Sequence, residues 1–166
     1  MSDLKPEKFN PKARSAARMA AVQALYELDM VEGDTEQVLS QLIDKRWTVT
    51  VEDEDGDEVG EAEFLDPDKT FLIKLVRGVL DKKDELDDML TGALGENWTV
   101  PRLEVLLRAI LRVGVFELLD HPEIPAKVVI NEYMDVANAF YTGGEPKMVN
   151  GVLDKLGKTL RDGRMD

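Results

Sequence analysis

The chain has 166 residues, 43% of them hydrophobic, enough for one helical domain or for two small halves that share a core. It holds no cysteine and a single histidine, which excludes a disulfide framework, thiolate zinc sites and a cysteine nucleophile. The formal net charge of -13 opposes nucleic acid, but its distribution does not: ten of the acids fall between Glu52 and Asp68 with no basic residue among them. Residues 1–26 carry Lys5, Lys8, Lys12, Arg14 and Arg18 against only Asp3 and Glu7, which leaves a basic end able to bind. No apolar run approaches the roughly 20 residues that span a bilayer, and the opening MSDLKPEKFN lacks the apolar stretch of a secretory signal. The expectation is a cytoplasmic protein without membrane association.

Asn10 followed by Pro11 predicts a helix start, since asparagine caps free amides and proline is preset for the first turn. Beyond it Ala17, Ala20, Ala21, Ala24, Leu25 and Leu28 recur at helical spacing and make a small-residue face suited to close packing. Thr35 can cap a second helix carrying Val38, Leu39, Leu42 and Ile43. Asp66 and Pro67 predict the start of a third, long helix through Phe71, Leu75, Val79, Leu86 and Leu90, bent near Gly78. Between the second and third lies Trp47 to Phe64, where Trp47, Val49 and Val51 alternate with polar residues before Gly56; this predicts a small β-hairpin or loop insertion.

A fourth helix is predicted from near Pro101 through Leu118 and stopped at His121 and Pro122, whose imidazole could cap exposed carbonyls. A fifth starts at Pro125 and carries Val129, Tyr133, Val136, Ala137 and Phe140 as its core face. A sixth starts at Pro146 with Val149, Val152, Leu153, Leu156 and Leu160. The fold class is all-α: a half over residues 1–95, with the acidic insertion at 47–64, packs beside a half over residues 96–166, and the two make one domain.

No constellation for catalysis emerges. An EF-hand register counted from Gly56 puts Val51 first and Ala62 twelfth, and one counted from Gly60 puts Val59 fifth, so both fail for lack of oxygen ligands. Gly143 and Gly144 lack the lysine and hydroxyl residue of a phosphate loop and read as a turn. Serine and histidine are too sparse for a hydrolase triad. Neither enzyme activity nor a cofactor is expected.

The words Gln23-Ala24-Leu25-Tyr26, Ile130-Asn131-Glu132 and MVNGVLDK from Met148 to Lys155, in that order, make the chain resemble the NusB family of transcription antitermination factors from about Pro11 to Leu160. The resemblance implies two side-by-side helical bundles that bind boxA-type single-stranded RNA of ribosomal RNA leaders together with ribosomal protein S10 (NusE). That assembly joins other Nus factors on RNA polymerase. The RNA-binding domain at the front of certain ribosomal RNA cytosine methyltransferases shares the fold, but neither their cofactor-binding domain nor their catalysis is expected here.

The resemblance also implies RNA-contact positions at Arg14 and Arg18, four apart on one helix face with Lys12 in the turn before them. Ser15 and Ala16 stand where the family often has more arginine. Tyr26 offers a ring for stacking on an unpaired base. Lys147 and Met148 occupy a basic-aromatic position at the start of the last helix, expected to point outward, though methionine cannot stack as phenylalanine does. Asn150 and Gly151 are expected to serve structure, by tying backbone and by close helix packing. Glu104 is spaced to pair with Arg108, and Arg112 follows four residues later; an internal ion pair and a role in an RNA or partner surface stand as equal readings. The rival function is a protein-interaction or homodimerising helical module without direct RNA binding, its basic face covered by a second copy.

Overall fold

The structure is a computed structural model that describes residues 11–30, 33–44, 48–52, 54–55, 58–63, 67–96 and 98–161. The expected Asn10 cap, together with Lys5, Lys8 and Asp66, lies outside the described residues. Helix α1 runs Pro11–Met30 and α2 Thr35–Asp44; strands β1 (Thr48–Glu52) and β2 (Glu58–Glu63) follow, then α3 (Lys69–Asp81), α4 (Lys83–Leu94), α5 (Val105–Asp120), α6 (Ala126–Phe140) and α7 (Glu145–Leu160). The fold is helical apart from the two strands, which pair antiparallel with Thr48 opposite Glu63 and Val51 opposite Gly60, and with a register shift after Val51.

Helix α5 is the axle of the molecule. It is buried from Leu107 through Leu118 save Arg108, and α1, α3, α4, α6 and α7 all pack against it. A helix apolar around nearly its whole circumference needs such a jacket. The alanine face of α1 is completely buried, which lets that helix lie close to both α3 and α5. One continuous core therefore joins residues from both halves of the chain.

The helix ends correct several expectations. Asp34, not Thr35, caps α2: its Oδ1 accepts from the Glu36 amide at 3.2 Å. Asp68 caps α3 by accepting from the Phe71 amide at 3.0 Å, and its own amide donates to the Ala13 carbonyl at 2.9 Å, tying the start of α3 to α1. The long third helix is broken, but at Lys82 rather than Gly78. The break turns the apolar stripe from α1, against which α3 packs, toward α7, which α4 reaches. A turn at Val100–Arg102 precedes α5, whose cap is Glu104. At the far end of α5 the imidazole does not meet the free carbonyls. The Arg161 guanidinium does, donating to the carbonyls of Leu118, Ile124 and His121 at 2.9, 2.9 and 3.1 Å, while His121 Nδ1 lies 3.0 Å from Glu123.

Gly78 has a packing role instead of a bending one. A Cβ there would stand 2.0 Å from Phe116 Cζ, so the ring of Phe116 occupies the space a side chain would take. Gly78→Ala is expected to cost about 1–3 kcal/mol by overpacking. The pair Gly78→Ala with Phe116→Leu should recover much of that loss in urea denaturation. Equal losses for the single and the double variant would count against the ring contact as the cause.

Candidate nucleic-acid interface

The two faces of α1 do different work. At 3.6 residues per turn, Arg14 and Arg18 share the side that carries Ala21 and Leu25, which is the inward side. Arg18 is only 3% exposed; its Nε and Nη2 each donate at 2.8 Å to the two carboxylate oxygens of Glu117, which is fully buried. The Tyr133 hydroxyl donates to the same carboxylate at 2.8 Å, and Glu132 lies 3.3 Å from Arg18 Nη1. Ser15 donates to Glu132, 2.8 and 2.9 Å from its two oxygens. The network ties α1, α5 and α6 together.

Burial works against the charge of Arg18, but the Glu117 hydrogen bond and charge outweigh it and hold its pKa above the ordinary value. Burial, reinforced by the Glu117 carboxylate, pushes the Tyr133 hydroxyl well up. Arg18, expected at an RNA contact, thus has its guanidinium turned into the scaffold and held by Glu117. Arg14 is only partly withdrawn. It stands 4.8 Å over the Phe71 ring, which Arg18 also faces at 5.2 Å, and 3.8 Å from Asp68.

The outward strip of α1 holds Lys12, Tyr26 and Met30, all exposed. Lys12 and Tyr26 are separated by close to four whole turns, so they share that strip about 21 Å apart along the axis. Tyr26 is 36% exposed, with its ring available at the surface. Phe140, which the periodicity assigns to the core, is 41% exposed at the end of α6. That residue was missed; its place in the last turn, just before the Gly143-Gly144 stretch, was the available signal. Lys147 is exposed in the first turn of α7, whereas Met148 is half-buried against the core and does not point outward as expected.

Glu104 and Arg108 do not pair. Glu104 caps α5 through the Leu106 amide and accepts a hydrogen bond from the Tyr141 hydroxyl, whose pKa is raised by burial and by that carboxylate. Arg108 lies 3.6 Å from Asp29. Arg112 grips Asp87 with Nε and Nη2 at 2.8 and 2.9 Å and Asp29 with Nη1 at 3.1 Å. For Arg112 the internal ion pair is the observed state.

A cleft of about 760 Å³ opens beside Arg14, Lys74, Lys82, His121 and Glu123. Its aromatic neighbours Phe71 and Phe116 are buried, so it offers a polar surface rather than a stacking platform. Among the described residues no group of histidine, cysteine or carboxylate side chains is placed to hold a metal ion, and no helix is long and apolar enough to cross a membrane.

The candidate contact residues left at the surface are Lys12 and Tyr26 on α1, Phe140 at the end of α6 and Lys147 on α7. The model of the NusB family matches residues 15–158, and the chain belongs to that family of non-enzymatic transcription antitermination factors. The transcription antitermination protein NusB of Bartonella tribocorum is 39% identical over 163 residues, covering 97% of this chain and 99% of its own. The structure of T. maritima NusB is similar, with a TM-score of 0.68 and 29% identity over 87% of this chain and 90% of that one. A crystal structure of the antitermination factors NusB and NusE in complex with double-stranded RNA matches in fold, with a TM-score of 0.65 and 21% identity over 89% of this chain and 97% of that one.

Proposed function

We propose that this protein binds a short boxA-type single-stranded RNA of ribosomal RNA leaders jointly with ribosomal protein S10 (NusE), and delivers it in the cytoplasm to RNA polymerase carrying other Nus factors. The observation that carries this reading is the exposed Tyr26 ring on the same outward strip of α1 as Lys12. An exposed aromatic ring suits an unstacked base, and a cation about 21 Å along the same strip suits a phosphate several nucleotides away. Lys147 and the exposed ring of Phe140 join this reading from α7 and α6, while Arg14 lies on the inward side of α1. Met148, half-buried, contributes packing. The fold match to a NusB protein crystallised with NusE and RNA supports the choice of partners.

Titration of labelled boxA-type RNA in the presence of S10 tests the reading. Saturable binding that weakens as salt rises is expected. Tyr26→Ala should lose about 1–3 kcal/mol of binding, the range for one base stacked on a ring. Lys147→Ala should weaken all RNA sequences alike and reduce the salt slope by about 1, since a phosphate contact carries no base information. Absence of saturable binding at any salt concentration would favour the protein-only, self-associating module.

A further inference from the structure

The cleft of about 760 Å³ lies where α1, α3 and the end of α5 meet, and its size is that of a small-molecule site. Its charges are not all paired. Arg14 faces Asp68 at 3.8 Å, and Lys82 pairs with Asp120 at 3.4 Å. Lys74 and Asp81, which also line it, form no ion pair among the described residues. They stand seven residues apart on α3, so the helix sets them about 10 Å from each other on one side. Thr70 lies one turn before Lys74 on that side.

His121 borders the same cleft and is only 9% exposed, yet its Nε2 has no hydrogen-bond partner. A buried ring nitrogen is costly to leave unmet. Its Nδ1 lies 3.0 Å from Glu123 Oε1, and a carboxylate only accepts, so Nδ1 carries hydrogen. Burial opposes the Glu123 charge, but a hydrogen bond from its own backbone and the imidazole outweigh it and hold the carboxyl below its ordinary value. The neutral ring therefore offers a lone pair at Nε2, and the protonated ring offers a second N–H. Arg14 and Arg18 of α1 meet the same Phe71 ring as the imidazole, and Asp68 and Lys74 stand on the α3 side. Asp120 ends α5, and Arg161, just past α7, binds the His121 carbonyl.

We propose that this cleft binds a phosphomonoester, with Lys74 and Arg14 on the phosphate oxygens and one proton shared between a phosphate oxygen and His121 Nε2. A phosphomonoester fits because its second proton comes off near neutral pH, whereas the diester linkages inside an RNA chain have no such proton. Asp81, at the far end, suits a hydroxyl or amino donor about 10 Å from the phosphate, as on a sugar phosphate or a nucleoside monophosphate. Phe71 and Phe116 are buried, so recognition is polar and not by stacking. The site goes beyond the RNA-binding reading and does not rest on it.

Calorimetric titration of the full chain tests it, with adenosine monophosphate, inorganic phosphate and adenosine as probes at about pH 6 and about pH 8. One saturable site for adenosine monophosphate is expected, competed by inorganic phosphate and closed to adenosine. It should be about tenfold weaker at the higher pH, where the shared proton is lost. Lys74→Ala should weaken it about tenfold and leave Tm in place, because that side chain is exposed. His121→Gln should remove the pH response, because an amide donates without titrating. RNA of one sequence is then added with a 5′-phosphate or a 5′-hydroxyl. Displacement by the 5′-phosphate form alone supports the proposal and makes an RNA end the source of the phosphomonoester; displacement by neither supports it with a free nucleotide or sugar phosphate. Equal displacement by both forms overturns it and gives the cleft to the RNA backbone. No saturable adenosine monophosphate binding, equal binding of adenosine, or binding and pH response that neither variant changes also overturns it.

Discussion

Arg18→Ala is expected to lower folding stability by about 3–5 kcal/mol, the usual consequence of leaving one partner of a buried ion pair behind. Glu117 is fully buried and would keep only the Tyr133 hydroxyl, losing two hydrogen bonds of 2.8 Å. Against a total stability of roughly 5–15 kcal/mol this is a large fraction. Arg18→Met combined with Glu117→Leu removes both charges and should lose much less than the single alanine variant. Urea denaturation followed by circular dichroism measures both. A single variant within about 1 kcal/mol of wild type would show that the pair contributes little. The experiment also separates scaffold from contact: RNA affinity per folded molecule should be unchanged, whereas an arginine on the RNA surface would lower affinity and leave the unfolding curve in place.

Arg112→Ala is the second large effect, and its expected size is smaller for a definite reason. Its guanidinium bridges α5 to α4 through Asp87 and to α1 through Asp29, with its side chain only 9% exposed. The two carboxylates are 25% and 22% exposed, so water reaches them once the arginine is gone. The expected loss is about 1.5–3 kcal/mol, the range for hydrogen bonds to charged groups. Arg112→Lys should recover less than half, because a single ammonium cannot reproduce the fork that holds both oxygens of Asp87. Full recovery by lysine would show that charge alone matters there.

The helical fold and most of its core were legible because helical periodicity is a one-dimensional signal. The alanine face of α1, the apolar run of α5 and the stripe of α7 read directly as buried sides. The break at Lys82 was not legible, since neither glycine nor proline marks it and only packing on α7 requires the change of direction. The proposed site was legible as a set of elements but less so as a set of side chains. Tyr26 and Lys147 are exposed, while Arg18 and Arg112, each with an arginine four residues before it, lie inside.

The sequence by itself determined the family, the helical class and which residues repeat every turn. Only the tertiary structure decided which side of α1 faces inward. Spacing tells that Arg14 and Arg18 share a face, but Glu117, fully buried, and Glu132, half-buried, both remote in the chain, supply the carboxylates that turn that face into the core and leave Lys12 and Tyr26 outside. Gly151 shows the same limit in reverse: the close packing expected of it is absent, and a Cβ built there would meet nothing within 4 Å. A helix glycine can admit a neighbouring helix or stand in open space, and the difference depends on what other segments bring within 4 Å. An arginine's partners and a glycine's neighbours come from distant parts of the chain, so they are properties of the packed molecule and not of local spacing.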